Sequence, residues 1–211
     1  MRLVIDGEDA QASCVGAVFG VPAERAGLVR LEVPAERQLL EKWCWAAIAS
    51  ALGRYYGTSQ ASQSALASQV LGKDCTGFAS DPSVREAADA VSRLDRALRA
   101  VDCYSHWSPG KPLFERVQFE INHGRPLAAR IGWHAGAGHY VLVHGYRSEG
   151  RKLLVADPLH GAGEYTYADF PAAYLHRGAW TETFWTAPPG TASASRAAHL
   201  RFTPMVTFTY E

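Results

Sequence analysis

The apolar rhythm of this chain changes partway along, and that change constrains the fold more than any single residue. From Cys44 to Gly124, apolar residues recur at helical spacing. Residues 44–56 read as a helix stopped by Gly57, and 60–71 as a second stopped by Gly72. Asp81, Pro82 and Ser83 open a long helix whose apolar face carries Val84, Ala87, Ala88, Val91, Leu94, Leu98 and Val101. Residues 113–121 form a short one. Beyond Gly124, short runs dominate at 127–133, 140–146, 152–156 and 163–167. Further strands are expected at 3–5, 28–33 and 205–210. Helices followed by strands predict an α+β fold, a helical part packed on an antiparallel sheet. The 211 residues suit one sizeable core with small extensions, divided as 1–35 (strand pair or prosegment), 36–187 and 188–211.

Composition narrows the partners. Basic and acidic side chains balance at 21 each, so no strong field draws nucleic acid or an anionic membrane. No run of about 18 apolar residues is present, and a membrane span is not expected. The N-terminal apolar run is too short for a signal peptide. This predicts a cytoplasmic protein, or one exported without a classical signal. Cys14, Cys44, Cys75 and Cys103 form no C-x-x-C pair, so neither a metal site nor a cofactor is expected. Cys14, Cys75 and Cys103 read as buried or incidental thiols, and in an oxidising compartment Cys75 could pair with Cys103.

Cys44 differs from these three. It heads an Ala-rich helical run, where the positive end of the helix dipole favours a thiolate. An unassisted thiol ionises near about pH 8.5, so a working nucleophile needs such help. Gln38, six residues upstream, can offer its amide N–H, together with the Cys44 backbone N–H, to a developing oxyanion. His139 follows a flexible Gly-Ala stretch at a strand entry and suits a general base, with His134 and His160 as alternatives. His144 has the opposite strand parity and should face away; His106, His123, His176 and His199 read as surface or turn residues. Asp157 ends the next strand. If the intervening hairpin folds near Ser148, Asp157 comes out roughly opposite His139 and can orient the imidazole. Trp45, Gly138 and Tyr140 flank these residues and are candidates for substrate contact, with Phe78, Trp107 and Trp133 as further guesses for cleft walls.

Gln38, then Cys44-Trp45-Ala46, resembles the signature of papain-like cysteine peptidases. Gly138-His139-Tyr140-Val141 and Asp157-Pro158-Leu159-His160-Gly161 are similar to the bacterial AvrRpt2-like and C39-like branches, and Tyr165–Phe170 looks like the segment after the acid. The resemblance covers about 36–185. It implies a papain-like fold with the nucleophile at a helix N-terminus and the His and Asp on the sheet. It also implies a peptide or protein substrate, hydrolysed through a Cys44–His139–Asp157 triad and a thioester with Gln38 at the oxyanion. Asp157 stands where papain itself has Asn, and Trp43 where the plant enzymes have a small residue. An acyltransferase or amidase on the same site, or an inactive peptide-binding module, are the rival readings.

Overall fold

The computed structural model describes residues 27–133, 136–175 and 178–190. The expected strands at 3–5 and 205–210, and Cys14, His134, His176 and His199, lie outside these residues. Helix α1 (Cys44–Tyr56) ends at Gly57, whose φ of 71° is the left-handed conformation of a helix stop. Its residues from Cys44 to Gly53 are all buried, which marks a central helix rather than an amphipathic surface one. Helix α2 (Gln63–Leu71) begins three residues later than predicted because the Ser62 hydroxyl caps it, accepting from the Ala65 N–H.

The long helix expected from Pro82 to Val101 is two helices, α3 (Pro82–Ala88) and α4 (Leu94–Ala100). The break has a tertiary cause. Ala88 O accepts the Trp43 indole N–H at 2.8 Å and Ala90 O that of Trp45 at 3.1 Å. Asp89 Oδ1 accepts the Lys42 backbone N–H at 2.8 Å. An unbroken helix would spend those two carbonyls on its own next turn. The segment on either side of Cys44 is therefore clamped to the α3–α4 junction.

Strands β1 (Leu28–Arg30), β2 (Tyr104–Pro109), β3 (Leu127–Trp133), β4 (Gly138–Arg147), β5 (Lys152–Asp157), β6 (Gly161–Thr166) and β7 (Gly178–Thr186) form one antiparallel sheet among the described residues. Its order is β2-β7-β3-β4-β5-β6, and β1 pairs with the far end of β4. β1 can approach there only because residue 145 is glycine: a Cβ would sit 2.6 Å from Val29 O. Helix α5 (Phe114–Asn122) lies between β2 and β3 in sequence. One core joins α1, α2 and α4 to Ala128, Leu142, Ala156 and Phe184 on one face of the sheet. The other joins α5 to Leu127, Ala129, Val141, Val143 and Val155 on the opposite face. This is the expected α+β fold.

β2 and β7 were not expected. In β7, Trp180 and Trp185 sit in the same core although five residues apart, because a bulge opposite Arg130/Ile131 breaks the two-residue alternation. Residues 28–33 belong to the sheet and to the strap that follows it, with the Leu31 N–H donating to His144 O at 2.8 Å.

Candidate active site

Cys44 is the first residue of α1. The cap position before it, Trp43, makes no side-chain cap bond, and the first turn holds no acidic residue. The positive end of the helix is thus left uncompensated by its own side chains, and it favours negative charge at the Cys44 sulfur and beside the Cys44 N–H. Cys44 is a free, buried thiol. Cys75 and Cys103 are also free and buried; burial raises both thiols, Cys103 to about 12, so neither is a rival nucleophile.

His139 and Asp157 are brought together by the sheet. His139 Nε2 lies 2.8 Å from Asp157 Oδ1. Its other ring nitrogen is not used by Asp157, and the Cys44 side chain is close enough to favour the charged imidazole. The strand register differs from a simple hairpin: β4 bulges between Val143 and Gly145, and Leu142 stands opposite Ala156. One further step puts Asp157 across from Val141, so His139 and Asp157 are diagonal partners on one face. Such positions lie roughly 7–8 Å apart along the sheet, which the two side chains span. The bulged residue, His144, turns away as expected and meets Leu31 O at 3.1 Å.

Asp157 is 4% exposed and held by its own turn: Oδ1 also accepts the Leu159 and His160 N–H groups at 2.7 and 2.9 Å. The Tyr174 hydroxyl donates to Oδ2. Burial alone would raise this carboxyl, yet the bonds and charge from His139, with those from Tyr174 and His160, hold it down to about 2. Burial would likewise lower His139, but the bond to Asp157 and the nearby Cys44 side chain outweigh it and raise the imidazole to about 9. Stability linked to a charged His139 is then fully present below its ordinary value of 6.5 and is lost as pH rises through about 9. That linked to Asp157 is present above 3.8 and lost as pH falls through about 2. Any reaction that needs the charged imidazole should therefore carry its alkaline limb near pH 9, as read from kcat/KM profiles. A limb at the ordinary imidazole value would show that the pair does not govern the reaction.

Gln38 lies in the strap leading to Cys44. Its backbone N–H donates to Pro158 O at 2.9 Å, and Arg37 donates to Leu159 O at 3.0 Å, which ties the strap to the turn that holds Asp157. The Gln38 amide nitrogen donates to Leu40 O at 3.0 Å and to Glu41 O, while its buried Oε1 has no partner among the described residues.

The three candidates for substrate contact are placed differently. Trp45 is 1% exposed and its indole is spent on Ala90 O, so its side chain has no surface to offer a peptide. Tyr140 is half-buried and packs edge-on against Phe184, 5.6 Å between ring centres. Gly138 is exposed at the entry of β4, where a Cβ would come within 2.9 Å of Ile131 O. Of the guessed wall residues, Phe78 packs edge-on against Trp43 and Trp107 is exposed on the edge strand β2. Trp133 does reach the site: its ring stacks beside His139 at 6.5 Å and beside Tyr174 at 6.2 Å. The alternative base His160 is exposed, its ring 6.2 Å from that of His139. Tyr174 had no signal in the sequence, because its role depends on a contact across 17 residues of chain.

A cavity of about 130 Å³ opens behind Asp157, between Ala47, Ile48 and Ala51 of α1 and Gly161–Ala162. Neither Cys44 nor His139 lines it, so it lies apart from the thiol and the imidazole. No helix among the described residues is long and apolar enough to cross a membrane.

Residues 30–183 match the model of the Peptidase C39-like family. Among solved structures the chain is similar to a C39-like peptidase, so described, from Bacillus anthracis, at 15% identity and a TM-score of 0.52, covering 77% of this chain and 98% of that one. It is also similar, at 17% identity and a TM-score of 0.43, to a double glycine motif protease from an AMS/PCAT transporter in complex with the leader peptide; that match covers 77% and 99% of the two chains. No curated protein matches the chain. With the family model spanning both the helical part and the sheet, this chain belongs to the C39-like peptidase family.

Proposed function

We propose that this protein is a cysteine peptidase that hydrolyses peptide bonds through Cys44, His139 and Asp157. The observation that carries the reading is a single one. A buried imidazole bonded to Asp157 at 2.8 Å has the free thiol of Cys44, at a helix N-terminus, near enough to favour its charged form.

In the proposed cycle the Cys44 thiolate adds to the substrate carbonyl carbon, and the carbonyl oxygen becomes an oxyanion beside the Cys44 N–H. Gln38 supplies the second donor only by releasing Leu40 O or Glu41 O, which between them hold both of its amide hydrogens. As the intermediate collapses, the C–N bond breaks and the imidazolium of His139 gives its proton to the leaving amine. Water then adds to the thioester, passing a proton to His139. Collapse releases the carboxylic acid and returns the sulfur as thiolate beside a protonated imidazole. Asp157 keeps the Nε2 hydrogen in place throughout, which fixes the ring and leaves the other nitrogen for proton transfer. The substrate in this reading is an extended peptide or protein segment, with no cofactor required.

The test is product analysis of a peptide library incubated with the wild-type chain, with and without a primary amine. New N-termini and free carboxylates in both arms are the expected result. Amide products that form only when the amine is present would make the enzyme an acyltransferase instead.

A further inference from the structure

The geometry points to Tyr174 as a fourth member of the site, a positioning residue that locks the Asp157 carboxylate so that Oδ1 stays on His139. The inference rests on the peptidase reading and adds a residue to its machinery. The carboxylate receives four donors, and they are unevenly divided. His139 Nε2 and the Leu159 and His160 N–H groups all go to Oδ1, at 2.8, 2.7 and 2.9 Å. Among the described residues Oδ2 has only the Tyr174 hydroxyl. Without that bond the buried Oδ2 would lack a donor, and rotation about the last side-chain bond of Asp157 would be the way to find one. Such a rotation takes Oδ1 off the imidazole.

Tyr174 is built to stay put. It is 4% exposed, and its ring lies between Tyr165, edge-on at 5.0 Å, Phe170 at 5.1 Å, and Trp133, stacked at 6.2 Å. Trp133 also stacks beside His139 at 6.5 Å, so one indole lies against both groups that Asp157 joins. Burial first, and then the neighbouring Asp157, raise the tyrosine hydroxyl, which keeps it a donor at any working pH. The other ionisable groups around Asp157 are His139 from β4, with Cys44 of α1 behind it, Tyr165 from β6 and His160 from its own turn. Glu36 and Arg37 of the strap line the cavity on its far side.

Tyr174→Phe removes the hydroxyl and keeps the ring. The expected result is a fall in kcat of about tenfold with KM unchanged, because Tyr174 does not touch substrate. The acid limb of kcat/KM should also move to higher pH, since a carboxylate stripped of a donor takes up a proton more readily. A double-mutant cycle with Asp157→Ala should be strongly non-additive, Tyr174→Phe costing little once the carboxylate is gone. If Asp157→Ala fails to fold, the acid limb of the single variant decides alone. Wild-type hydrolysis with Tyr174→Phe matching it in kcat and acid limb would overturn the inference and leave the peptidase reading intact. A loss of equal size with and without Asp157 would overturn it too. A wild-type chain with no turnover, and with Cys44 no more reactive than Cys75, removes both.

Discussion

Cys44→Ala is expected to lower peptide hydrolysis by at least about 10⁴-fold, because every covalent step of the proposed cycle runs through its sulfur. The fold should survive the change. The side chain is small, and the clamp that shapes its loop is made by the neighbours, Trp43, Trp45 and Lys42. His139→Ala should cost a comparable factor, and the double variant little more than either, since nucleophile and base act as one unit. Steady-state rates on one cleaved peptide, with circular dichroism on each variant, check this. Undiminished cleavage by folded Cys44→Ala would remove the thiol from the chemistry.

The largest expected loss of stability lies one residue earlier. Trp43 is fully buried, packs edge-on against Phe78 at 5.4 Å, and donates its indole N–H to Ala88 O at 2.8 Å. Trp43→Ala empties that volume and strips the carbonyl at the helix break of its donor. The expected cost is about 3–5 kcal/mol in denaturant unfolding. Trp43→Phe keeps most of the packing and loses chiefly the hydrogen bond, for about 0.5–1.5 kcal/mol if the carbonyl finds water. The two variants separate packing from bonding. A Trp43→Ala cost below about 1 kcal/mol would mean the clamp at the α3–α4 junction does not hold the Cys44 loop in solution.

These same residues mark what the sequence could and could not convey. The start of α1 at Cys44 and its stop at Gly57 are local signals, and they were legible. So were β3, whose apolar run only Arg130 breaks, and β5, with Leu153 to Ala156 unbroken. The break between α3 and α4 was not legible, because nothing in residues 88–93 says that two tryptophans 45 residues away will take their carbonyls. β7 was hidden by a bulge that puts both Trp180 and Trp185 in one core. At the site, residue types near short motifs pointed to Cys44, His139 and Asp157, while the register between the last two was set by a bulge at His144 that no pattern announces. The offset of Gln38 from Cys44 suggested a donor, but not that the carbonyls of Leu40 and Glu41 take its amide hydrogens. Tyr174 is the extreme case: its importance lies wholly in which oxygen of Asp157 it meets.

The central claim is that Cys44 and His139 work as one reactive pair. It is tested most directly by iodoacetamide labelling at pH 5.5–6, with each cysteine followed by mass spectrometry in wild type and in His139→Ala. The account predicts rapid, selective labelling of Cys44 over Cys75 and Cys103, lost in the His139→Ala chain. Labelling of Cys44 that is no faster than that of the other thiols, or that is unchanged without His139, would contradict it.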